Sequence, residues 1–282
     1  MNKFPIGIIA NCFRIDMPTA LKKCAVLGAQ GVQIHGRKGE VNPDTLIGEQ
    51  RNEFKKLVAD NGLVISALCG DLGGGGFIHP EKNPDKIEIS KKIIALAKDL
   101  GTNIVTTHIG VVPADPNHDR YKIMQEACYE LATFAESYDA CFAVETGPET
   151  AVILKRFLDD IGSKGIGVNL DPANLVMVAA DDPAQAVYTL KDYIVHTHAK
   201  DGKQLFYLDP EIVYDVVKTD LVTEDSFIEV PLGEGSVNWE AYLNALTDIG
   251  YNGFLTIERE VGHNPEADVK TAIDFLKGQM GC

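Results

Sequence analysis

Five short apolar runs end on a residue that can coordinate a cation or move a proton. NIVTTH ends on His108, CFAVE on Glu145, IGVNLD on Asp171, YIVHTH on His198 and GFLTIE on Glu258. A strand entering a turn has use for Asp or Asn as a cap, but little for Glu or His. Two Glu, one Asp and one His make an oxygen-rich set with a single nitrogen. Such a set suits a divalent cation (Mn²⁺, Mg²⁺, Co²⁺ or Zn²⁺) with positions left open for a chelating substrate. It contains no thiolate, which argues against a structural zinc site. Glu145, Asp171, His198 and Glu258 are therefore the expected metal ligands.

The stretch IVHTHAKDG, residues 194–202, holds two histidines one residue apart. Residues i and i+2 of a strand share a face, about 7 Å apart along the chain. Only His198 is level with the other strand ends, so His196 is expected one layer deeper, as a supporting or pocket residue. An H-x-H pair holding one metal, as in amidohydrolase barrels, belongs on a first strand. The first run here, ending IIANCF, has no histidine. His108, Asn174, His196 and Lys200 are expected to contact substrate. Their structural alternatives are a strand cap for His108, a turn or helix cap for Asn174, a satisfied core residue for His196, and an ion pair with Asp201 or Glu260 for Lys200. Arg14, His35, Lys200 and Arg259 are candidates to hold a phosphate or carboxylate. The run Gly73-Gly74-Gly75-Gly76 lacks the Lys-Ser/Thr ending of a phosphate loop and reads as a mobile loop.

These residues need a scaffold that brings strand ends together. Eight short runs rich in β-branched residues recur at 5–10, 31–35, 63–69, 103–108, 141–145, 166–171, 193–198 and 253–258. Segments of helical period lie between them. Tyr121, Met124, Cys128, Leu131 and Ala135 share one face, as do Ile153, Leu154, Phe157, Leu158 and Ile161, and Val269, Ile273 and Leu276. Gly28, Gly62, Gly101 and Gly250 follow helical patterns as C-cap signals. Eight alternating units over 282 residues predict an α/β protein, a single-domain (β/α)₈ TIM barrel. A doubly wound sheet would announce itself with G-x-G-x-x-G after the first strand, and none is present. In a barrel, function collects at the C-terminal strand ends, where the five residues fall. Residues 202–237 exceed a plain connection and are expected to form an insertion over the site, with a small hairpin.

The formal net charge of −15 argues against a polyanionic partner, so no nucleic acid is expected. No run approaches a membrane span, and MNKFPIGIIANCF is too short an apolar stretch for a signal peptide. Cys12, Cys24, Cys69, Cys128, Cys141 and Cys282 show no CxxC spacing and read as reduced thiols. A cytoplasmic location is expected.

Six segments, taken in order, resemble the xylose isomerase-like barrels, also called sugar phosphate isomerases/epimerases or AP endonuclease family 2. They are SALCGDLG (66–73), VETG (144–147), NLDPANL (169–175), HTHAKDG (196–202), VPLGEGSVNW (230–239) and GYNGFLTIERE (250–260). The resemblance implies a divalent metal on Glu145, Asp171, His198 and Glu258, the same four that the strand ends single out. It implies an isomerase or epimerase acting on a sugar, sugar phosphate or related ketone through a cis-enediolate. Glu145 and Glu258 would exchange the proton. A lyase that dehydrates a keto-polyol from the same enolate is an alternative, as is a non-catalytic sugar-binding barrel. Dimers and tetramers occur in the family, so a homo-oligomer is a further expectation. The sequence departs from some sugar epimerases in having Asn174 where a His follows the sixth strand, and Lys200-Asp201 where an Arg follows the seventh. The endonuclease branch needs that His and a later Asp-x-His for its three metals. Neither is present, so DNA cleavage is not expected.

Overall fold

The computed structural model describes residues 4–37, 39–219 and 224–281. Cys282 and residues 220–223 of the 202–237 segment lie outside them. Strands and helices alternate as β1 (Ile6–Ile9), α1 (Met17–Leu27), β2 (Gly31–His35), α2 (Glu49–Asp60), β3 (Val64–Cys69), α3 (Asn83–Leu100), β4 (Ile104–Thr107) and α4 (Asp119–Ser137). Then follow β5 (Cys141–Glu145), α5 (Ala151–Ile161), β6 (Ile166–Leu170), the single turn α6 (Pro172–Asn174), α7 (Pro183–Thr189) and β7 (Ile194–Ala199). After an excursion of β8 (Asp201–Gln204), α8 (Pro210–Val213) and β9 (Phe227–Val230), the chain ends with α9 (Trp239–Asp248), β10 (Leu255–Ile257) and α10 (Pro265–Gln279).

Eight strands close in the order β1-β10-β7-β6-β5-β4-β3-β2, all pairs parallel. The result is a single-domain TIM barrel. Strands such as β1, β5 and β6 are near-continuous apolar runs because they are buried on both faces, by the barrel interior and by the helices. The expected helical faces are the buried ones: Tyr121, Met124, Cys128, Leu131 and Ala135 of α4, and Val269, Ile273 and Leu276 of α10. On α5 Leu154, Phe157, Leu158 and Ile161 are buried, and Ile153 packs half-buried against them. Trp239 and Tyr242 meet edge to face in the core, so they pack rather than stack on a ligand.

Between β7 and α9, β8 and β9 form an antiparallel pair. Residues 205–226 separate them, so the pair is the base of a long excursion rather than a tight hairpin. Asp201 holds that base. Its carboxylate accepts from the N–H groups of Gly202, Gly233 and Val237 and from the Trp239 indole, at 2.9–3.2 Å.

Candidate metal centre and active-site cavity

His198, on β7, is 1% exposed. Its Nδ1 lies 3.2 Å from Oε2 of Glu258, 3.4 Å from Oε1 of Glu145 and 3.5 Å from Oδ2 of Asp171. One donor atom from each of the four residues falls within 4.8 Å of every other. They come from β5, the turn after β6, β7 and the turn after β10, which are adjacent in the barrel. A β-bulge opposite Asn169 shifts the register between β6 and β7. Bulges of this kind re-aim side chains beside functional sites.

The other ring nitrogen fixes the tautomer. Nε2 of His198 lies 3.0 Å from Oε1 of Gln33, whose amide nitrogen donates to Thr106 Oγ1 at 3.0 Å. With Gln33 accepting, the proton is favoured on Nε2, and a cation bound among the carboxylates would take the Nδ1 lone pair in place of a second proton. Burial opposes a charged imidazole here, but Glu258, Glu145 and Asp171 outweigh it and hold the His198 pKa well above its usual value. The cluster thus calls for positive charge at the point where the four donor atoms meet. A divalent cation answers that demand better than one proton.

Asp171 is divided between two tasks. Oδ1 accepts from the N–H groups of Ala173 and Asn174, at 2.8 and 3.0 Å, and caps α6. Oδ2 is buried with no hydrogen-bond partner. Burial pushes the Asp171 pKa up. A buried carboxylate oxygen with no hydrogen-bond partner, facing a histidine ring nitrogen and two further carboxylates, fits a site built to hold a cation. The donor set fits the expected group.

Both glutamates are braced. Glu145 accepts from Asn169 Nδ2 and Asn174 Nδ2, each at 3.2 Å. Asn174 reaches it because the chain between them bends at Gly147, with φ of 147°. A Cβ at Gly147 would stand 2.5 Å from that of Asn174. Glu258 accepts from Lys200 Nζ at 3.1 Å. Burial works against its ionisation, yet Lys200 and His198 keep its pKa well below the ordinary range.

The remaining expected residues separate. His108 and Asn174 line the cavity, and Nε2 of His108 is 3.6 Å from Glu145 Oε1. Lys200 also lines it, but its ammonium is held by Glu258 and by Glu260 at 2.6 Å. His196 is not brought to the cavity. It is 1% exposed and lies beneath Asn169, with Nδ1 2.9 Å from Asn169 Oδ1 and Nε2 3.0 Å from Thr256 Oγ1. Its contact is with Asn169, and through it Glu145, rather than with a ligand. Arg259 and Arg14 are no anion holders. Arg259 pairs with Glu229 at 2.7 Å and Asp268 at 2.9 Å, and Arg14 donates to the carbonyls of Glu260 and Gly262. His35 lines the polar side of the cavity. The run Gly73–Gly76 is a left-handed turn whose carbonyls of Gly73, Gly74 and Gly76 accept from Lys86.

Two lobes of about 350 Å³ each meet at the cluster, sharing Asp71, Gly73, His108, Glu145, Glu258 and Glu260. Sequence reasoning missed Gln33 and Asn169. The available signal was an amide flanked by fully buried aliphatics, Val32 and Ile34 in one strand and Val168 and Leu170 in the other. Tyr214 and Glu229, brought in by the excursion after β7, carried no such signal.

The sequence pattern of the xylose isomerase-like TIM barrel family matches residues 21–279. The uncharacterized protein MJ1311 of Methanocaldococcus jannaschii is 26% identical over 211 residues, 70% of this chain and 64% of that protein, so the chain spans less than two thirds of that relative's length. A xylose isomerase domain protein from Planctomyces limnophilus superposes with a TM-score of 0.79 at 26% identity, over 99% of both chains. A probable 3-DHS dehydratase, AsbF, from Bacillus anthracis gives 0.76 at 19% identity, over 97% of this chain and 99% of that one. An L-ribulose 3-epimerase gives 0.75 at 20%, over 99% and 95%. These last two share the fold. Barrel, strand-end cluster and sequence pattern agree: the chain belongs to the xylose isomerase-like TIM barrel family.

Proposed function

We propose that the protein is a divalent-metal-dependent isomerase or epimerase of a carbohydrate ketone, with Glu145, Asp171, His198 and Glu258 as metal ligands. The observation that carries this reading is the convergence of three carboxylates on Nδ1 of His198, one of them with an oxygen that has no other partner. Mn²⁺, Mg²⁺, Co²⁺ or Zn²⁺ held there would supply electrophilic stabilisation of the enediolate formed from a substrate carbonyl and its neighbouring hydroxyl. The chain supplies the proton traffic. Glu145 and Glu258 approach from different strands, so one takes the proton from carbon and the other returns it. Lys200 keeps Glu258 ionised, and Asn169 and Asn174 fix Glu145. His108 faces the reacting centre beside Glu145 and is placed to hold a substrate hydroxyl.

The same placement favours a second reading. An imidazole beside the base could protonate a departing hydroxyl, which would make the enzyme a dehydratase of a keto-polyol. An α,β-unsaturated ketone product, visible in the ultraviolet, separates the two.

The first experiment compares bound metal by elemental analysis in wild type, Glu145→Gln and His198→Ala after equal Mn²⁺ loading. Near-stoichiometric metal in wild type, lost from both variants, is expected. Ketose C–H exchange in D₂O is then expected in wild type only. A folded wild type that takes no metal overturns the reading. Metal retained by His198→Ala but lost by His196→Ala reverses the assignment of the two histidines.

A further inference from the structure

The lobe that carries Lys200 has two unlike walls. One bears the carboxylates. The other is apolar, made by Met177 and Val178 from the π-helical turn after α6, by Val213, Tyr214 and Val216 around α8, and by Phe227 from β9. This wall has its own support. Ala173, Met177 and Val178 form a small buried cluster apart from the barrel core, and Val213, Tyr214 and Phe227 pack against it. Tyr214 turns its hydroxyl toward Gly147, 3.3 Å from where a Cβ there would stand, so the wall reaches the loop that follows Glu145. A chain of hydroxyls laid against this surface would find no side-chain hydrogen-bond partner on it beyond the Tyr214 hydroxyl, and most would lose their water without return.

The charges of the lobe exclude an anion at this end. Asp71, Glu145, Glu229, Glu258 and Glu260 line it. Lys200 is its one ammonium among the described lining residues, and that group is already shared by Glu258, Glu260 and Glu229 at 3.1, 2.6 and 3.8 Å. A phosphate would meet like charge with no cation to spare.

We infer that the substrate carries an uncharged apolar substituent, an alkyl group or a ring, on the end that fills this lobe. Its keto-polyol part occupies the second lobe, against Glu145, His198 and Glu258. This rests on the carbohydrate-ketone reading above. Two lobes of about 350 Å³ give each part its own compartment.

The test titrates Mn²⁺-loaded full-length protein calorimetrically with fructose, fructose 6-phosphate and 6-O-benzyl fructose. The benzyl ether is expected to bind about tenfold tighter than fructose or better, from the apolar area it buries. The phosphate is expected to bind no tighter than fructose. Tyr214→Asp should bring the ratio of the benzyl ether and fructose constants toward one, and Tyr214→Leu should retain it, with circular dichroism confirming that both variants fold. A benzyl ether no tighter than fructose, a phosphate that binds best, or metal-loaded protein that binds none of the three overturns the inference and leaves the metal reading standing. A wild type that takes no metal fails that reading itself, and the inference with it.

Discussion

At the residue scale, the strand-end donors were legible because each closes an apolar run with a side chain that the run itself does not need. What the sequence hid is the layer beneath them. Gln33 acts through the barrel's closure, which brings β2 to His198 across the interior, and Asn169 through the pairing of β6 with β7, and no local pattern encodes either contact. His196 shows the limit from the other side. Its spacing from His198 put it one layer down and left a contact with substrate open, and the structure places Asn169 and Thr256 at its two nitrogens. Gln33 is therefore the sharper test of the metal assignment. Gln33→Leu leaves all four donors in place and removes the acceptor that keeps the proton on Nε2. Metal affinity should fall about 10- to 100-fold, measured by competition with a chelator of known affinity. An unchanged affinity would mean that the His198 tautomer is set elsewhere.

At the element scale, the sequence located an overlong connection after β7 but not what anchors it. An ion pair of Lys200 with Asp201 or Glu260 was the structural alternative, and the structure forms the one with Glu260 and not the one with Asp201. Lys200 and Asp201 are neighbours in extended chain, and successive side chains there point to opposite sides. Lys200 consequently faces the cavity and its carboxylates, while Asp201 turns into the loop of VPLGEGSVNW. Four donors end on that one buried carboxylate, and at Gly235 a Cβ would lie 1.8 Å from its Oδ1. Asp201→Ala strands the Trp239 indole and the Gly233 and Val237 amides. The expected loss is about 3 kcal/mol or more in urea unfolding. Gly235→Ala should destabilise as well, by forcing the loop off the carboxylate. A loss below about 1 kcal/mol in Asp201→Ala would show that the loop keeps its shape through water or its own backbone instead.

At the scale of the whole molecule, the barrel could be read because eight β-branched runs and eight helical stretches alternate with capping glycines between them. That regularity says where a strand is, not what its loops bury. Glu149, between β5 and α5, is the clearest case: nothing in TGPETA marks it, yet it is 6% exposed. Oε2 accepts from the Val112 N–H at 3.1 Å, and Oε1 has no partner. Burial pushes its pKa up to about 8, and the Val112 amide and the nearby His108 offset this only in part. Between the ordinary carboxylate value and about 8 the folded chain therefore binds a proton that the unfolded chain releases. Its contribution to stability is complete below the ordinary value and is lost as pH rises through about 8, with a slope of up to about 1.4 kcal/mol per pH unit. Glu149→Gln cannot titrate, so the stability of wild type relative to this variant should decline across that window and level off above it. Urea unfolding of both proteins at a series of pH values measures the difference directly. A difference that does not change with pH would mean that water reaches the Glu149 carboxyl and that this loop opens on the time scale of titration.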